Sequence, residues 1–493
     1  MTNEGCENII KKTGWGLCHY VLIGLCALAT LAEAVATLTV LIVTPLLACD
    51  LKFNKNDIMA LNATSSLGMA IGSFIFGILS DYIGRKNLIP TTMVIIFCAS
   101  IGLSFSQTYF FISSAIFILG IGAAGNNIIV RVYLIECLPA KKRGSYLALI
   151  DLIWITGCVS TLGLSWSLVP SIIRMLENEF RPSSWRVLAG LGGAPSLIMA
   201  CATSLLPPSL RYLLYRRQLQ QALVVLQQMF AINNSQHANN FPLCNLNNCV
   251  RGDNDDPTIN HYLDLVREFF LKIWRRIIII CSPFFINNTL LFILSKLLLF
   301  PSFIWLLIWK IHSTHQLISN QELLSNQTCT THVGDMVSNF LHNCHEVRNS
   351  SFKHSLIFLS SFILGELFLI FGIDIIGRRI SILTSGIVGG SAIICLIFTT
   401  RYDVEMALSI LFLAFYSVIY TSINISILEN YPTSVRGSIM GLTTVLPHVT
   451  SFFIKMFSQI TCLKSTYAVA SLLISATIAT MPIPDLTNSP MQE

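Results

Sequence analysis

The sequence predicts an all-α membrane protein of twelve transmembrane helices in two six-helix repeats. Three observations predict it. Of 493 residues, 53% are apolar and only 11% charged, about half the charge of a soluble chain. The apolar residues gather in runs of about twenty, the length that crosses a bilayer core. Two charged motifs recur in the two halves of the chain at the same spacing.

Taken in order, the apolar runs place spans at about 17–47, 58–79, 88–106, 110–133, 146–168, 187–206, 274–309, 354–373, 380–399, 406–428, 437–460 and 465–483. The first run is too long for the apolar part of a cleavable signal, so it reads as a membrane helix. Two loops are long and polar: 207–273, with the stretch "DNDD", and 310–353, rich in His, Asn and Ser. The expected organisation is therefore an N-terminal bundle over 1–206, a linker over 207–273, and a C-terminal bundle over 274–493 that carries the loop 310–353. The seventh run is interrupted by Asn287, Asn288, Lys296 and Pro301. One crossing plus an interfacial or re-entrant part is preferred there, because two crossings would break the charge bias. In the linker, "RYLLYRRQLQQALVVLQQMF" spaces its apolar residues helically beside Arg. It predicts an amphipathic helix on the membrane surface or under the bundle.

Lys and Arg set the orientation. Lys11, Lys12, Arg85, Lys86, Lys141, Lys142, Arg143, Arg378, Arg379 and Arg436 fall in loops on one side, which the positive-inside rule makes cytosolic along with both termini. The net charge of +6 sits in these short loops and not on one face of a domain, so nucleic acid is not an expected partner. The membrane is either the plasma membrane or that of an intracellular vesicle. No phosphate-binding glycine loop, nucleophile–base pair or spaced metal-ligand set is visible. The chain therefore reads as neither ATPase nor other enzyme, with no cofactor and no metal, "CNLNNC" at 244–249 included.

The repeated motifs carry the duplication. "DYIGRK" at 81–86 matches "DIIGRR" at 374–379, and "ECLPAKKRG" at 136–144 matches "ENYPTSVRG" at 429–437. The interval from Asp81 to Asp374 equals that from Glu136 to Glu429, 293 residues. Two matches in one register mark a duplicated unit. The glycine of the first motif suits a tight turn, and its charges sit at the water boundary. In the second motif the proline ends the outgoing helix. That is expected to bring Glu136 near Arg143, and Glu429 near Arg436. The plain alternative is that these charges only anchor topology.

With these motifs in each half, the chain resembles the major facilitator superfamily. Within it, "RVYLIECLPAKKRGSYLALIDLIWITG", "SWRVLAGLGGAPSLIMACATSLLPPSLRYLLYRRQLQQALVVLQQMFAINN" and "ILENYPTSVRGSIMGL" look like synaptic vesicle two-related proteins and the organic ion transporters. The resemblance implies the major facilitator fold, with two bundles rocking about a central site by alternating access. It implies a secondary transporter of a small organic solute, with an organic ion as one such solute. It also implies a cytosolic gate of Asp81, Arg85, Glu136, Arg143, Asp374, Arg378, Glu429 and Arg436, latched when the site faces outward. A non-transporting vesicle membrane glycoprotein with a trafficking or binding role is the alternative. The sequence departs from the pattern at Ala36, where relatives often have a second acid, and at "SSAIFIL", which lacks an Arg. It departs again at His448 in place of Arg, and at Pro208, where an acid is lost.

Charges inside spans cost about 2.5–3.5 kcal/mol each on insertion scales, so they need a reason. Glu33, Asp151, Lys296, Glu366 and Lys455 are such residues. Glu33 matches an acid of the first helix in relatives, where it can take a proton or pair with a cationic solute. Glu366 is placed to pair with a base such as Lys455. Asn126, Asn127, Trp154, Tyr416, Tyr420 and Asn424 are expected to line the site, and the last three share a helix face. Aromatic faces with one acid suit an organic cation; ordinary polar helix packing is the alternative. His448 titrates near neutral pH when unperturbed. The expected partners are a small organic solute, the lipid bilayer and a coupled proton or ion. In the loop 310–353, Asn326 and Asn349 are glycosylation acceptors, and Cys329 with Cys344 is the expected disulfide, with Cys49 as a competing partner. The sequons at Asn62 and Asn233 are expected to stay bare.

Overall fold

A computed structural model describes residues 12–51, 53–175, 184–242, 287–297, 349–399, 401–457, 460–487 and 489, with six further residues at 330–331, 341–342 and 346–347. It is a multi-pass helical protein. In chain order the helices are α1 (Leu17–Asp50), α2 (Lys55–Ile83), α3 (Arg85–Phe105), α4 (Tyr109–Cys137), α5 (Arg143–Met175) and α6 (Ser184–Ser204). There follow α7 (Leu210–Tyr215), α8 (Leu219–Asn234), α9 (287–297), α10 (Asn349–Ile376) and α11 (Arg378–Phe398). The last three are α12 (Tyr402–Asn430), α13 (Arg436–Phe457) and α14 (Cys462–Ala479). Ten of these are long and apolar enough to cross a membrane. The only strands among the described residues are two-residue pairs, Thr330–Thr331 with Ile460–Thr461 and Leu341–His342 with Glu346–Val347.

Each expected span with described residues is a helix, but several outrun their apolar stretch. α4 continues through Arg131 and Glu136 to Cys137, and α5 begins at Arg143. Those ends are charged, and they stay helical because their charges are buried against partners instead of facing lipid. Lipid-facing positions are the apolar ones: Phe74, Phe105, Ile198, Phe371, Ile375 and Phe398 are all exposed. This is the reverse of a soluble fold, with polar side chains gathered inside.

The turns between α2 and α3 and between α10 and α11 hold Gly84 at φ +99° and Gly377 at φ +92°. Side chains oppose that backbone region, which is why each repeated motif carries glycine there. The two halves meet along two seams, α2 against α13 and α5 against α10. At the first seam the backbones approach closely. A Cβ added to Gly441 would stand 2.4 Å from the Ser73 carbonyl oxygen.

The linker helix differs from expectation. It is not continuous: α7 and α8 are separated at Arg217, which takes φ +59°. Arg216 explains the break, because its guanidinium turns back to the Tyr82 carbonyl at the α2 end. α8 then lies under the bundle, burying Ala222, Val225, Leu226 and Met229. Its Asn233 amide donates to the Gly14 carbonyl (2.9 Å) and the Thr13 carbonyl, and accepts from the Cys18 amide (3.0 Å). That sequon asparagine is thus occupied in tying the start of α1 to α8. Asn62 lies within α2. Asn326, Cys329 and Cys344 lie outside the described residues; Asn349 is the first residue of α10.

Candidate functional site

The face carrying the two D-x-x-G-R turns is closed by two ion-pair lattices of the same design. In one, Arg85 Nη2 lies 2.9 Å from Asp81 Oδ1 and 3.0 Å from Glu136 Oε1, and Arg436 Nη1 lies 3.2 Å from the same Glu136 oxygen. In the other, Arg378 Nη2 lies 2.8 Å from both Asp374 Oδ1 and Glu429 Oε1, and Arg143 Nε lies 2.8 Å from Glu429 Oε1. All four arginines are buried, as are Asp81, Glu136 and Glu429.

The pairing corrects the expectation from the second motif. Glu136 is joined by Arg436 and not by Arg143; Glu429 is joined by Arg143 and not by Arg436. The proline-led turns aim each arginine across the seam, so each lattice contains three residues of one half and one of the other. Arg436 is further held by the Leu428 and Tyr431 carbonyls at the end of α12 (2.9 and 3.0 Å). Burial pushes the Tyr431 phenol up to about 12, so it stays neutral beside the Thr289 hydroxyl at 2.8 Å.

Each turn aspartate also crosses the seam. Asp81 accepts from the Gly437 and Ser438 amides (3.2 and 2.8 Å) and from Ser438 Oγ (2.7 Å). Asp374 accepts from the Ser145 amide (3.0 Å) and Ser145 Oγ (2.7 Å). A carboxylate at a helix N-terminus satisfies amides that have no partner inside the helix. Ser145 and Ser438 were not singled out from the sequence, yet the signal was present: both motifs continue R-G-S. Ser209 Oγ donates to Glu136 Oε2 at 2.5 Å, so the segment that lacks the usual acid still reaches the lattice. The chain's last described residue joins too, its Ser489 carbonyl accepting from Arg143 Nη2 at 2.8 Å.

Above this face lies a polar centre. At 1.5 Å of rise per residue, Arg131, Asp151, Thr421 and Glu366 stand about 9–15 Å from the turn-side ends of their helices. Asn126 Nδ2 donates to Glu33 Oε2 at 2.7 Å, and the Trp154 and Asn127 side chains stand against the same carboxylate. Arg131 bonds Asn127 and pairs with Asp151 Oδ1 at 2.5 Å. Thr421 Oγ1 lies 2.9 Å from Asp151 Oδ2 and 2.8 Å from Glu366 Oε1. A continuous polar chain thus runs from α4 through α5 to α12 and α10, crossing between the halves.

Glu366 does not pair with Lys455, because the two lie in different places. Lys455 reaches across the α2–α13 seam to Ser66 Oγ (2.7 Å) and the Asn62 carbonyl (3.4 Å), toward the opposite face. Ser66 and Ser451 hydroxyls meet there at 3.1 Å. Lys296 is buried with Thr443 Oγ1 at 3.4 Å and Met440 Sδ at 3.9 Å, and no carboxylate within ion-pair distance among the described residues. His448 stands within electrostatic reach of Lys296 and Lys455. Tyr416 packs against the Phe362 and Phe412 rings, while Tyr420 stands near Arg131. Asn424 is buried, and neither side-chain amide atom has a hydrogen-bond partner among the described residues.

Arg131 and Thr421 are the residues the sequence left aside. Arg131 sits at the edge of its apolar run, where a loop arginine is unremarkable. Thr421 is one neutral hydroxyl among many.

Two helical bundles are thus closed on one face by matched lattices and hold a charged centre. The sugar (and other) transporter family model matches residues 32–284, and the chain belongs to that family. Among curated relatives, rat synaptic vesicle glycoprotein 2B is 30% identical over 229 residues, covering 46% of this chain and 34% of that one. Human synaptic vesicle glycoprotein 2A is 27% identical over 239 residues, covering 46% and 31%. The chain thus spans about a third of the length of these relatives. The fold is that of the proton:xylose symporter XylE. A sugar-bound structure of it aligns with TM-score 0.66 at 14% identity, covering 96% of this chain and 97% of that one. The inward-open form from E. coli gives 0.58 at 12%, covering 95% and 97%.

Proposed function

We propose that the protein moves a small organic solute, specifically an organic ion, across a membrane by alternating access. The bundles 1–206 and 274–493 are the moving units, joined by the linker 207–273. The turn face lies in the cytosol with both termini. The observation that carries this reading is the cross-half lattice. Arg143 and Arg436 are each committed to a glutamate of the opposite half, so the bundles are joined by bonds that separation would break. The gate is Asp81, Arg85, Glu136, Arg143, Asp374, Arg378, Glu429 and Arg436, joined by Ser145 and Ser438.

The solute site is Glu33, Asn127, Asp151, Trp154, Glu366, Tyr416, Tyr420, Asn424 and His448, with Arg131, Thr421 and Lys296 added. Lys296 bears on the sign of the solute. The expectation of a cation rested on Glu33, whose carboxylate already has an amide donor and stands near Arg131. Among the described residues, Lys296 is a buried basic group whose two hydrogen-bond partners are both neutral, which favours an anionic group on the solute. A proton as co-substrate is supported by the naming of XylE as a proton:xylose symporter, and a vesicle membrane by the naming of the synaptic vesicle relatives.

The test is flux in proteoliposomes made with the purified full chain. Benzoate, phenyl sulfate and glutarate serve as anions, tetramethylammonium as cation, and glucose as neutral solute. Saturable uptake of an anion, lost in Glu33→Gln and Lys296→Gln, is expected. No saturable uptake of any probe would overturn the reading in favour of a non-transporting membrane glycoprotein.

A further inference from the structure

The Thr421 hydroxyl stands between two acids that belong to different halves. Asp151 Oδ2 is 2.9 Å away and Glu366 Oε1 is 2.8 Å away. A hydroxyl has one hydrogen to donate and lone pairs to accept with, whereas an ionised carboxylate only accepts. If both acids were ionised, one of these contacts would be oxygen against oxygen with no hydrogen between them. One proton on either acid resolves the conflict: the protonated acid donates to Thr421 Oγ1, and Thr421 donates to the other.

Which acid holds the proton follows from the neighbours. Asp151 Oδ1 takes two donors from Arg131, Nη2 at 2.5 Å and Nε at 3.2 Å, so this carboxylate is already committed as an acceptor. Glu366 is buried, and its second oxygen has no hydrogen-bond partner among the described residues. An unsolvated carboxylate oxygen is costly, whereas a neutral carboxyl tolerates it far better. The groups that face Glu366 are Asp151 from α5, Arg131 from α4, and Ser417 and Thr421 from α12. α11, also packed on α10, carries no acid or basic residue between Ile380 and Phe398.

We infer that Asp151, Thr421 and Glu366 form a proton-holding bridge between the two halves, with the proton on Glu366 in the closed state. On release, the proton leaves as hydronium to whichever face has opened. Two like charges then confront one hydroxyl, and the α5–α10 seam loosens. The bridge ties a chemical event, loss of one proton, to the join that the gate also guards. Its conformational part rests on the alternating-access reading; its protonation part does not.

The experiment has two readouts on full-length protein in lipid nanodiscs. Infrared spectroscopy at neutral pH should show the carbonyl stretch of a protonated carboxyl, abolished in Glu366→Gln and retained in Thr421→Ser. Hydrogen exchange of the gate segments 139–146 and 431–438, corrected for intrinsic rate, should rise several-fold in wild type as pH is raised. It should stay flat in Glu366→Gln, whose amide donates as the protonated acid does. Thr421→Val, which removes the shared hydroxyl, should lose the pH response, and Thr421→Ser should keep it. Absence of the infrared band from wild type, or its survival in Glu366→Gln, overturns the proton assignment. A pH response of the gate segments that is the same in wild type and Glu366→Gln overturns its coupling to closure. A band that is present in a protein without saturable flux would uphold the bridge while the transport reading falls; saturable flux without the band would do the opposite.

Discussion

At the scale of single residues, the closed face depends on charges that water does not reach. Burying an ion pair is close to neutral overall, but removing one member is costly, about 3–5 kcal/mol, because the other charge is left behind. Here each glutamate keeps its second arginine, so Arg143→Ala and Arg436→Ala are expected at the low end of that range. Both should lower the melting temperature and raise cysteine labelling at the turn face, by similar amounts, since the two lattices have the same design. Unchanged labelling would remove the latch role. Ser145→Ala and Ser438→Ala each delete one hydroxyl bond to a lattice aspartate, worth about 1.5–3 kcal/mol. They too should match one another in thermal denaturation. The lattice members were legible because both signs of charge recur at fixed spacing, and the partner of each was not. Spacing along a chain places Glu136 beside Arg143; only the packing of the halves shows that Arg143 belongs to Glu429. Arg131 was illegible for a different reason. It lies in the last turn of its apolar run, and hydropathy gives no sign that a charge at the edge of a run turns inward.

At the scale of elements, span positions were legible because a bilayer imposes one length on every crossing helix. Ends were not, since buried charges let α4 and α5 extend past their apolar residues. The break between α7 and α8 was also hidden. The apolar periodicity of "RYLLYRRQLQQALVVLQQMF" continues across it, and the interruption comes from a distant carbonyl, that of Tyr82. The close seam between α2 and α13 makes a direct prediction. Gly441→Leu puts its first side-chain carbon 2.4 Å from the Ser73 carbonyl oxygen, so the helices must move apart. Overpacking of this kind costs about 1–3 kcal/mol. The variant should lose thermal stability and show faster labelling along α2, whereas Gly102→Leu, at a position with open space around it, should do neither.

At the scale of the whole molecule, the two faces are held by different chemistry. The turn face is closed by eight charged side chains in two lattices. Toward the opposite face, the same α2–α13 seam is joined by a lysine and small hydroxyls: Lys455 to Ser66, and Ser66 to Ser451. Neutral hydroxyl bonds contribute about 0.5–1.5 kcal/mol each, less than bonds to charged groups. Among the described residues, the α2–α13 seam therefore carries one charged side chain toward the opposite face, against a four-charge lattice at the turn face. Alternating access requires both faces to part in turn. A covalent link at the opposite face isolates that requirement. Ser66 and Ser451 have their hydroxyl oxygens 3.1 Å apart, close enough for the double variant Ser66→Cys with Ser451→Cys to form a disulfide after small side-chain rotation. Oxidised, it should hold α2 to α13 at the opposite face and stop solute flux. Reduced, it should restore the flux of the wild-type chain, and each single variant should transport in both conditions. Undiminished flux through the oxidised, mass-verified link would mean that the halves do not separate at this seam, and the rocking of two bundles would fail as the mechanism.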